Sequence, residues 1–305
     1  MYYYWAYGLN IHAEIPFPEL YEVAAFNEPD AVLICGKVPQ NIEGEFGFRS
    51  ESIMISPKEY ILHVKDVASY YVQEGKRIVI EKSEDVDWDS VRLFCLSNAF
   101  AALLQQRNLI PLHCSAFLAD DELVLIMGDS GAGKSTTLAG MINRGYQPFS
   151  DDVCVPFFKE GSNELFMYSS YPMMKYWGDT FEKVDIGGGI KDRKIRPDMD
   201  KFGVYFHERF ITGMKKVKLV VLIEKDSSLN AVSVKSLGGI DLFQRLERNA
   251  YRGEYLGFAG LKKEHFKLFT CIANSTKTVL VLRPSNENSI EELLDAISGE
   301  VYVKE

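Results

Sequence analysis

Residues 128–135 read Gly-Asp-Ser-Gly-Ala-Gly-Lys-Ser and satisfy the phosphate-binding pattern G-x-x-x-x-G-K-[ST] at every position. This pattern constrains the fold more than any other feature of the chain, because it works between a strand and a helix. Both are in place. Residues 123–127 form a strand-like apolar run, and residues 135–144 read as a helix with Leu138, Met141 and Ile142 on one face and Gly145 set to end it. The glycines let successive backbone N–H groups turn toward phosphate oxygens, and the helix N-terminus adds partial positive charge. The expected nucleotide contacts are Gly128, Asp129, Ser130, Gly131, Ala132, Gly133, Lys134, Ser135 and Thr136. Within this set Lys134 would bind the β- and γ-phosphates, and the Ser135 hydroxyl would hold Mg²⁺. At ordinary residue frequencies a chain of this length matches the pattern by chance about once in a hundred. ATP or GTP binding is therefore expected, and no base-recognition motif separates the two.

At 305 residues the chain has room for two domains or one elaborated one. A net charge of −9, with no long basic stripe to offset it, argues against a general nucleic-acid partner. The N-terminus, Met-Tyr-Tyr-Tyr-Trp-Ala-Tyr, lacks the basic start and apolar core of a signal peptide, and no segment has the length to span a bilayer. Cys35, Cys95, Cys114, Cys154 and Cys271 are odd in number and lack C-x-x-C spacing. Buried reduced thiols are expected, with neither zinc nor disulfides. A cytoplasmic location with no membrane partner follows.

Residues 1–85 read as a smaller β-rich N-terminal region, with strands at 31–35, 60–64 and 77–80 and turns at Glu43-Gly44 and Glu74-Gly75. Residues 86–305 read as the P-loop domain. It opens with a helix over 88–106, carrying Val91, Phe94, Cys95, Ala99, Leu103 and Leu104 at helical spacing and stopped before Pro111. A hairpin over 112–118 and 122–127, turned at Asp120-Asp121, leads into the loop. Further strands are expected at 165–171, 204–207, 217–223 and 278–282, and helices near 240–250, 263–274 and 289–297. The segment 185–200, with Gly187, Gly188, Gly189, Lys191, Arg193, Lys194 and Arg196, is either a lid that clamps phosphate or a solvated loop.

Two neighbours of the loop carry chemistry. Asp151 and Asp152 follow Lys134 by 17 and 18 residues. Adjacent side chains on an extended chain point to opposite sides, so at most one carboxylate faces the phosphates unless the pair lies in a turn. One could reach the metal and the other accept the proton of an attacking hydroxyl. A solvated turn is the plainer alternative. His113, 21 residues before Lys134, is a half-buried strand residue or an assisting group.

In combination, His113, the 128–135 loop, Arg144-Gly145 and Ser150-Asp151-Asp152 resemble the catalytic domain of HPr kinase/phosphorylase. That family places a histidine, a G-[DE]-S-G-x-G-K-S loop, a K-R-G and an A-D-D at similar spacing, and the match covers about residues 112–155. The resemblance implies an α/β fold with a P-loop core related to phosphoenolpyruvate carboxykinase and a more mixed sheet than ordinary P-loop proteins have. It implies ATP and Mg²⁺ as cofactors and an acceptor serine on a peptide or protein. Carried onto matching positions, it puts Lys134 and Ser135 on phosphates and Mg²⁺, Asp151 beside the metal, Asp152 as general base and His113 as its helper. The family's glutamate-containing segment has no counterpart in Tyr171-Pro-Met-Met-Lys-Tyr-Trp177, which argues against phosphorolysis. Lys175 in that stretch is either a cation for the transferred phosphate or an exposed strand lysine. The aromatic N-terminal region also departs from the family. In this the chain is more similar to HPr-kinase-like proteins of bacterial peptide-tailoring clusters, among them kinases acting on the C-terminal serine of lasso-peptide precursors.

Three functions remain open at this level: a peptide or protein serine kinase, a kinase for a small molecule such as free serine or a sugar, and a non-catalytic ATP sensor. The resembled family forms homo-oligomers, but oligomeric state is not legible here. Tyr251, Arg252 and the aromatic stretch to Phe258 either contact an acceptor or pack in the core.

Overall fold

A computed structural model of the chain describes residues 1–43, 45, 47–159, 161–178, 180, 184, 193–194, 200–285 and 289–302. Gly44, Gly187, Gly188, Gly189, Lys191 and Arg196 lie outside the described residues, so the expected basic lid enters only through Arg193, Lys194 and Asp200. The fold is mixed α/β with several mixed sheets.

Among the described residues, the first sheet has nine strands: β1 (Tyr2–Ala6), β2 (Leu9–Ala13), β3 (Tyr21–Glu22), β4 (Ala31–Cys35), β5 (Phe48–Arg49), β6 (Ile53–Ile55), β7 (Glu59–Val64), β8 (Ala68–Gln73) and β9 (Arg77–Lys82). Their order is β3-β1-β2-β4-β9-β8-β7-β6-β5. Burial in β8 alternates residue by residue, so one face lies on the core. The helix expected over 88–106 is present but interrupted: α1 (Trp88–Phe94) and α2 (Phe100–Gln106) are joined by a π-helical stretch, Cys95–Ala99. Asp87 caps its start by accepting from the Ser90 N–H at 2.7 Å.

The remaining strands are β10 (Cys114–Ala119), β11 (Glu122–Met127), β12 (Gln147–Ser150), β13 (Val155–Phe158), β14 (Leu165–Tyr168), β15 (Met173–Trp177), β16 (Arg193–Lys194), β17 (Lys201–Tyr205), β18 (Met214–Asp226), β19 (Ser233–Ser236) and β20 (Lys277–Pro284). The helices are α3 (Lys134–Asn143), α4 (Gly239–Arg248), α5 (Lys262–Ser275) and α6 (Ile290–Tyr302). β10 and β11 form the expected hairpin; Asp120 and Asp121 have φ of 51° and 67°, the left-handed pair that a two-residue turn of matching twist needs. β18 runs parallel to both β11 and β20, so the C-terminal ends of three neighbouring strands meet where the 128–135 loop emerges. These strands read as near-continuous apolar runs because both faces are covered. α3 and α6 cover one face, packing Leu138, Met141, Leu293, Leu294 and Ile297 on Val124, Ile126, Val221 and Val281. A second buried cluster joins Tyr7, Phe17 and Leu20 to Phe100, Cys114 and Leu125, so the core runs across residue 85 without a break.

Several expectations need correction. The strand expected over 165–171 stops at Tyr168, and the one over 204–207 lies earlier, at Lys201–Tyr205. Strands β13 and β19 lie outside the expected set, because β13 contains Pro156 and β19 is mostly exposed, so neither alternates in hydrophobicity. Cys95, Cys114 and Cys154 are buried, but Cys35 is exposed; all five thiols are free. No described helix is long and apolar enough to cross a membrane.

Candidate active site

The glycine-rich loop leaves β11 and enters α3 with positive φ at Gly128 (149°), Gly131 (79°) and Gly133 (109°). At Gly128 a Cβ would fall 2.4 Å from the Ile223 carbonyl oxygen of β18, so the loop can start there only with glycine. The Gly128 N–H donates to Asn249 Oδ1 at 2.9 Å. Asn249, just past α4, also accepts from the His113 N–H through its backbone carbonyl at 2.8 Å. One buried residue, through its side chain and its backbone carbonyl, thus holds the start of the loop and the backbone of the histidine in register. Lys134 Nζ donates to the Gly128 carbonyl at 2.7 Å and the Asp129 carbonyl at 3.3 Å. Burial pushes the pKa of this lysine down, against the pull of Asp151 and Asp152.

After β12 the chain kinks. Asp152 has φ 72°, and the Val153 N–H donates to the Asp151 carbonyl at 3.0 Å, closing a three-residue turn. Such a backbone costs about 1–3 kcal/mol for a non-glycine residue. Its effect is to remove the alternation of an extended chain, and both carboxylates face the cavity that the loop lines. Asp151 is fully anchored: Ser115 Oγ donates to Oδ1 at 2.6 Å and the Lys175 backbone N–H to Oδ2 at 2.9 Å. Burial nevertheless raises its pKa. Asp152 shifts the other way. Burial alone would push its carboxyl up, yet Lys175, Lys201 and His113 together hold it well below the usual carboxylate range. Lys175 Nζ donates to Asp152 Oδ2 at 2.5 Å, and the lysine side chain is 4% exposed. The alternative of an exposed strand lysine is excluded.

His113 Nδ1 lies 3.1 Å from the Asp152 carbonyl oxygen and 3.4 Å from its Oδ1. A carbonyl can only accept, so the contact is a hydrogen bond when Nδ1 carries the proton, leaving Nε2 with its lone pair. Burial and the Lys134 charge lower the pKa of this histidine, which favours the neutral ring.

A cavity of about 610 Å³ gathers these groups: His113, Ser130, Gly131, Gly133, Lys134, Ser135, Thr136, Asp151 and Asp152 all line it. Gly128, Asp129 and Ala132 do not. Gly128 turns its N–H to Asn249, and the Ala132 N–H closes on the Asp129 carbonyl at 3.0 Å. Arg144 is engaged in packing, with ion pairs to Glu291 and Asp295 of α6 at 2.8 Å each. Tyr251 stands beside His113 with ring centroids 6.1 Å apart, whereas Phe258 is exposed.

Sequence reasoning missed three further cations in this cavity: Lys201, Lys225 and Arg283. With Lys134 they outnumber the two carboxylates, and Asp152 is already neutralised by Lys175. Locally the site is cationic although the chain is acidic, which suits a polyphosphate. Lys225 and Arg283 face each other across the parallel pair β18–β20 at its C-terminal end. That was the available signal, since ligands of α/β sheets sit beyond the carboxyl ends of their strands. The Arg283 Nε is buried without a hydrogen-bond partner among the described residues, and its Nη2 lies 3.8 Å from where a Cβ on Gly133 would stand. Lys201 sits over the Trp177 ring at 5.6 Å, its cross-strand neighbour.

Among solved structures, the chain is similar to the Hpr(Ser) kinase/phosphatase from Coxiella burnetii, with 16% identity and a TM-score of 0.32 over 62% of this chain and 95% of that one. No family model matches the chain. No curated protein matches it.

Proposed function

We infer that this chain is an ATP-dependent kinase that transfers the γ-phosphoryl group to a serine hydroxyl of a peptide or protein. The observation that carries the reading is the convergence of Lys134, His113 and the turned pair Asp151-Asp152 on one cationic cavity. In the reaction the serine oxygen forms a bond to the γ-phosphorus while the bond from that phosphorus to the bridging oxygen breaks. The electron pair leaves with ADP, and the hydroxyl proton passes to Asp152. The transition state is loose, so the acceptor keeps its proton until late, and a weakly basic carboxylate that is ionised beforehand is enough to orient the hydroxyl and take the proton as the new bond completes. His113 holds the Asp152 backbone through Nδ1. Lys134, Lys201 and Arg283 spread the charge of the transferring group.

The donor set fits Mg²⁺, which is commonly held by one or two carboxylates plus substrate phosphates rather than by a protein cage. Ser135 and Asp151 would hold it, and it would neutralise the β- and γ-phosphate oxygens; the hydrogen bonds from Ser115 and Lys175 leave Asp151 further lone pairs for that role. The test is phosphotransfer followed by mass spectrometry, with ATP, Mg²⁺ and peptides bearing internal or C-terminal serine. Phosphate gained by a peptide with the wild-type chain, and lost with Lys134→Ala, is the expected result. ATP binding with no acceptor phosphorylated would overturn the reading.

A further inference from the structure

A second cavity, of about 480 Å³, lies beside the first and is lined by Pro18 and Glu19 of the N-terminal region, Asp89, Arg92, Leu93 and Leu96 of the interrupted helix, and Met173, Lys175, Gly203 and Tyr205 of the β15–β17 pair. Lys194 and His207 complete its wall. The two cavities share one face of one ribbon. In the antiparallel register Trp177 pairs with Lys201, Lys175 with Gly203 and Met173 with Tyr205. These six residues alternate with those of the opposite face. Trp177 and Lys201 line the loop cavity, and the other four line the second one. Each step along this face is about 7 Å, the span of two extended residues. Lys175, bound to Asp152, stands at the junction. Gly203 opposite it presents no side chain, and the Met173 thioether packs over it, with Sδ 3.0 Å from where a Cβ would stand.

Most cations of the second cavity are held by carboxylates, with Lys194 paired most loosely, to the exposed Asp200 at 3.9 Å. Arg92 Nε donates to Glu19 at 2.9 Å and Arg92 also pairs with Asp89. Lys175 is held by Asp152, and the His207 ring nitrogen lies 3.3 Å from the Leu20 carbonyl oxygen. Among the described residues an anionic acceptor would meet Arg92 and Lys175 already compensated, and only the outer Lys194 loosely paired. The remaining walls, Pro18, Leu93, Leu96 and Met173, are apolar.

Resting on the kinase reading above, we propose that this second cavity binds the acceptor, and that it selects a peptide whose serine is flanked by a bulky uncharged apolar residue. The serine hydroxyl then lies at Asp152 and the flanking side chain against Leu93 and Met173.

The test compares three hexapeptides, with leucine, aspartate or tryptophan next to the serine, through the leucine-to-aspartate and tryptophan-to-leucine ratios of kcat/KM on the same protein. These ratios cancel any loss of folded protein. The expected leucine-to-aspartate ratio is at least about tenfold for the wild type and close to one for Leu93→Trp, which fills the cavity. The tryptophan-to-leucine ratio should rise for Leu93→Ala, which enlarges it. Transfer to the leucine and aspartate peptides at equal rates by the wild type, or a preference untouched by both substitutions, would overturn this inference and leave the kinase reading standing. Failure of the wild type to phosphorylate any peptide would overturn both.

Discussion

Lys175 Nζ and Asp152 Oδ2 are 2.5 Å apart, with side chains 4% and 13% exposed, so the proposed base carries its negative charge against a buried ammonium. A buried pair of this kind contributes little net stability when intact but leaves a stranded charge when one partner is removed. Lys175→Met is expected to destabilise the fold by about 3–5 kcal/mol, and Asp152→Asn by a similar amount. The double variant should recover much of the loss. Urea unfolding of the three variants measures this, and additive losses in the double variant would contradict the pairing.

The neighbouring carboxylate should behave differently. Burial raises the Asp151 pKa, so its charged form is disfavoured in the fold. Asparagine can still accept from the Lys175 N–H and donate to Ser115 Oγ. Asp151→Asn should therefore change stability by less than about 1 kcal/mol at pH 7, while phosphotransfer drops by a factor of about 100–1000 if Asp151 holds the metal. Calorimetry and initial rates on one preparation separate the two effects.

Stability should fall in two acid windows. His113 has a lowered pKa in the fold, so the unfolded chain binds the proton more readily, and stability declines as pH falls below about 6.5. Asp152 has a depressed pKa, so its contribution is present above about pH 4 and is lost as pH falls further. Urea midpoints measured from pH 8 to pH 3 should show both slopes, and His113→Gln should flatten the first and reduce the second only in part, since Lys175 and Lys201 still hold Asp152 down.

Asn249 acts at a distance from the reacting atoms. Its side chain is the acceptor for the Gly128 N–H, and alanine would leave that buried donor unpaired at a cost of about 1–3 kcal/mol. Asn249→Ala should also weaken ATP binding, because the start of the loop loses its anchor. Titration calorimetry with ATP checks this; unchanged affinity would reduce Asn249 to a packing residue.

The Tyr171 hydroxyl is buried without a hydrogen-bond partner among the described residues. Tyr171→Phe removes an unsatisfied polar atom and keeps the ring, so the melting temperature should hold or rise. A clear fall would mean that the hydroxyl has a partner.

Much of the loop's setting was legible because it is local. A strand, a glycine-rich turn and a helix are adjacent in the chain, and φ-permissive glycines with apolar periodicity mark them without reference to anything distant. The Asp120-Asp121 hairpin turn was legible for the same reason. The long helix over 88–106 was found, but not its π-helical middle, since residues 95–105 are buried on every side and no single apolar face marks the shift in phase. That Lys134, His113, Asp151 and Asp152 share a cavity was expected from a resemblance in spacing, not from geometry.

By itself, then, the sequence determined the local conformations: where backbone must bend, which stretches bury a face, and which residue types stand near the loop in the chain. Tertiary structure decided the electrostatics. Asp151 and Asp152 are chemical twins in sequence, yet one is pushed up by burial and the other is held ionised by Lys175, 23 residues away. Lys225 and Arg283 are brought to the loop by parallel pairing of β18 and β20. Charge interactions depend on through-space distance and on exclusion of water, and neither is fixed until strands distant in the chain pack side by side.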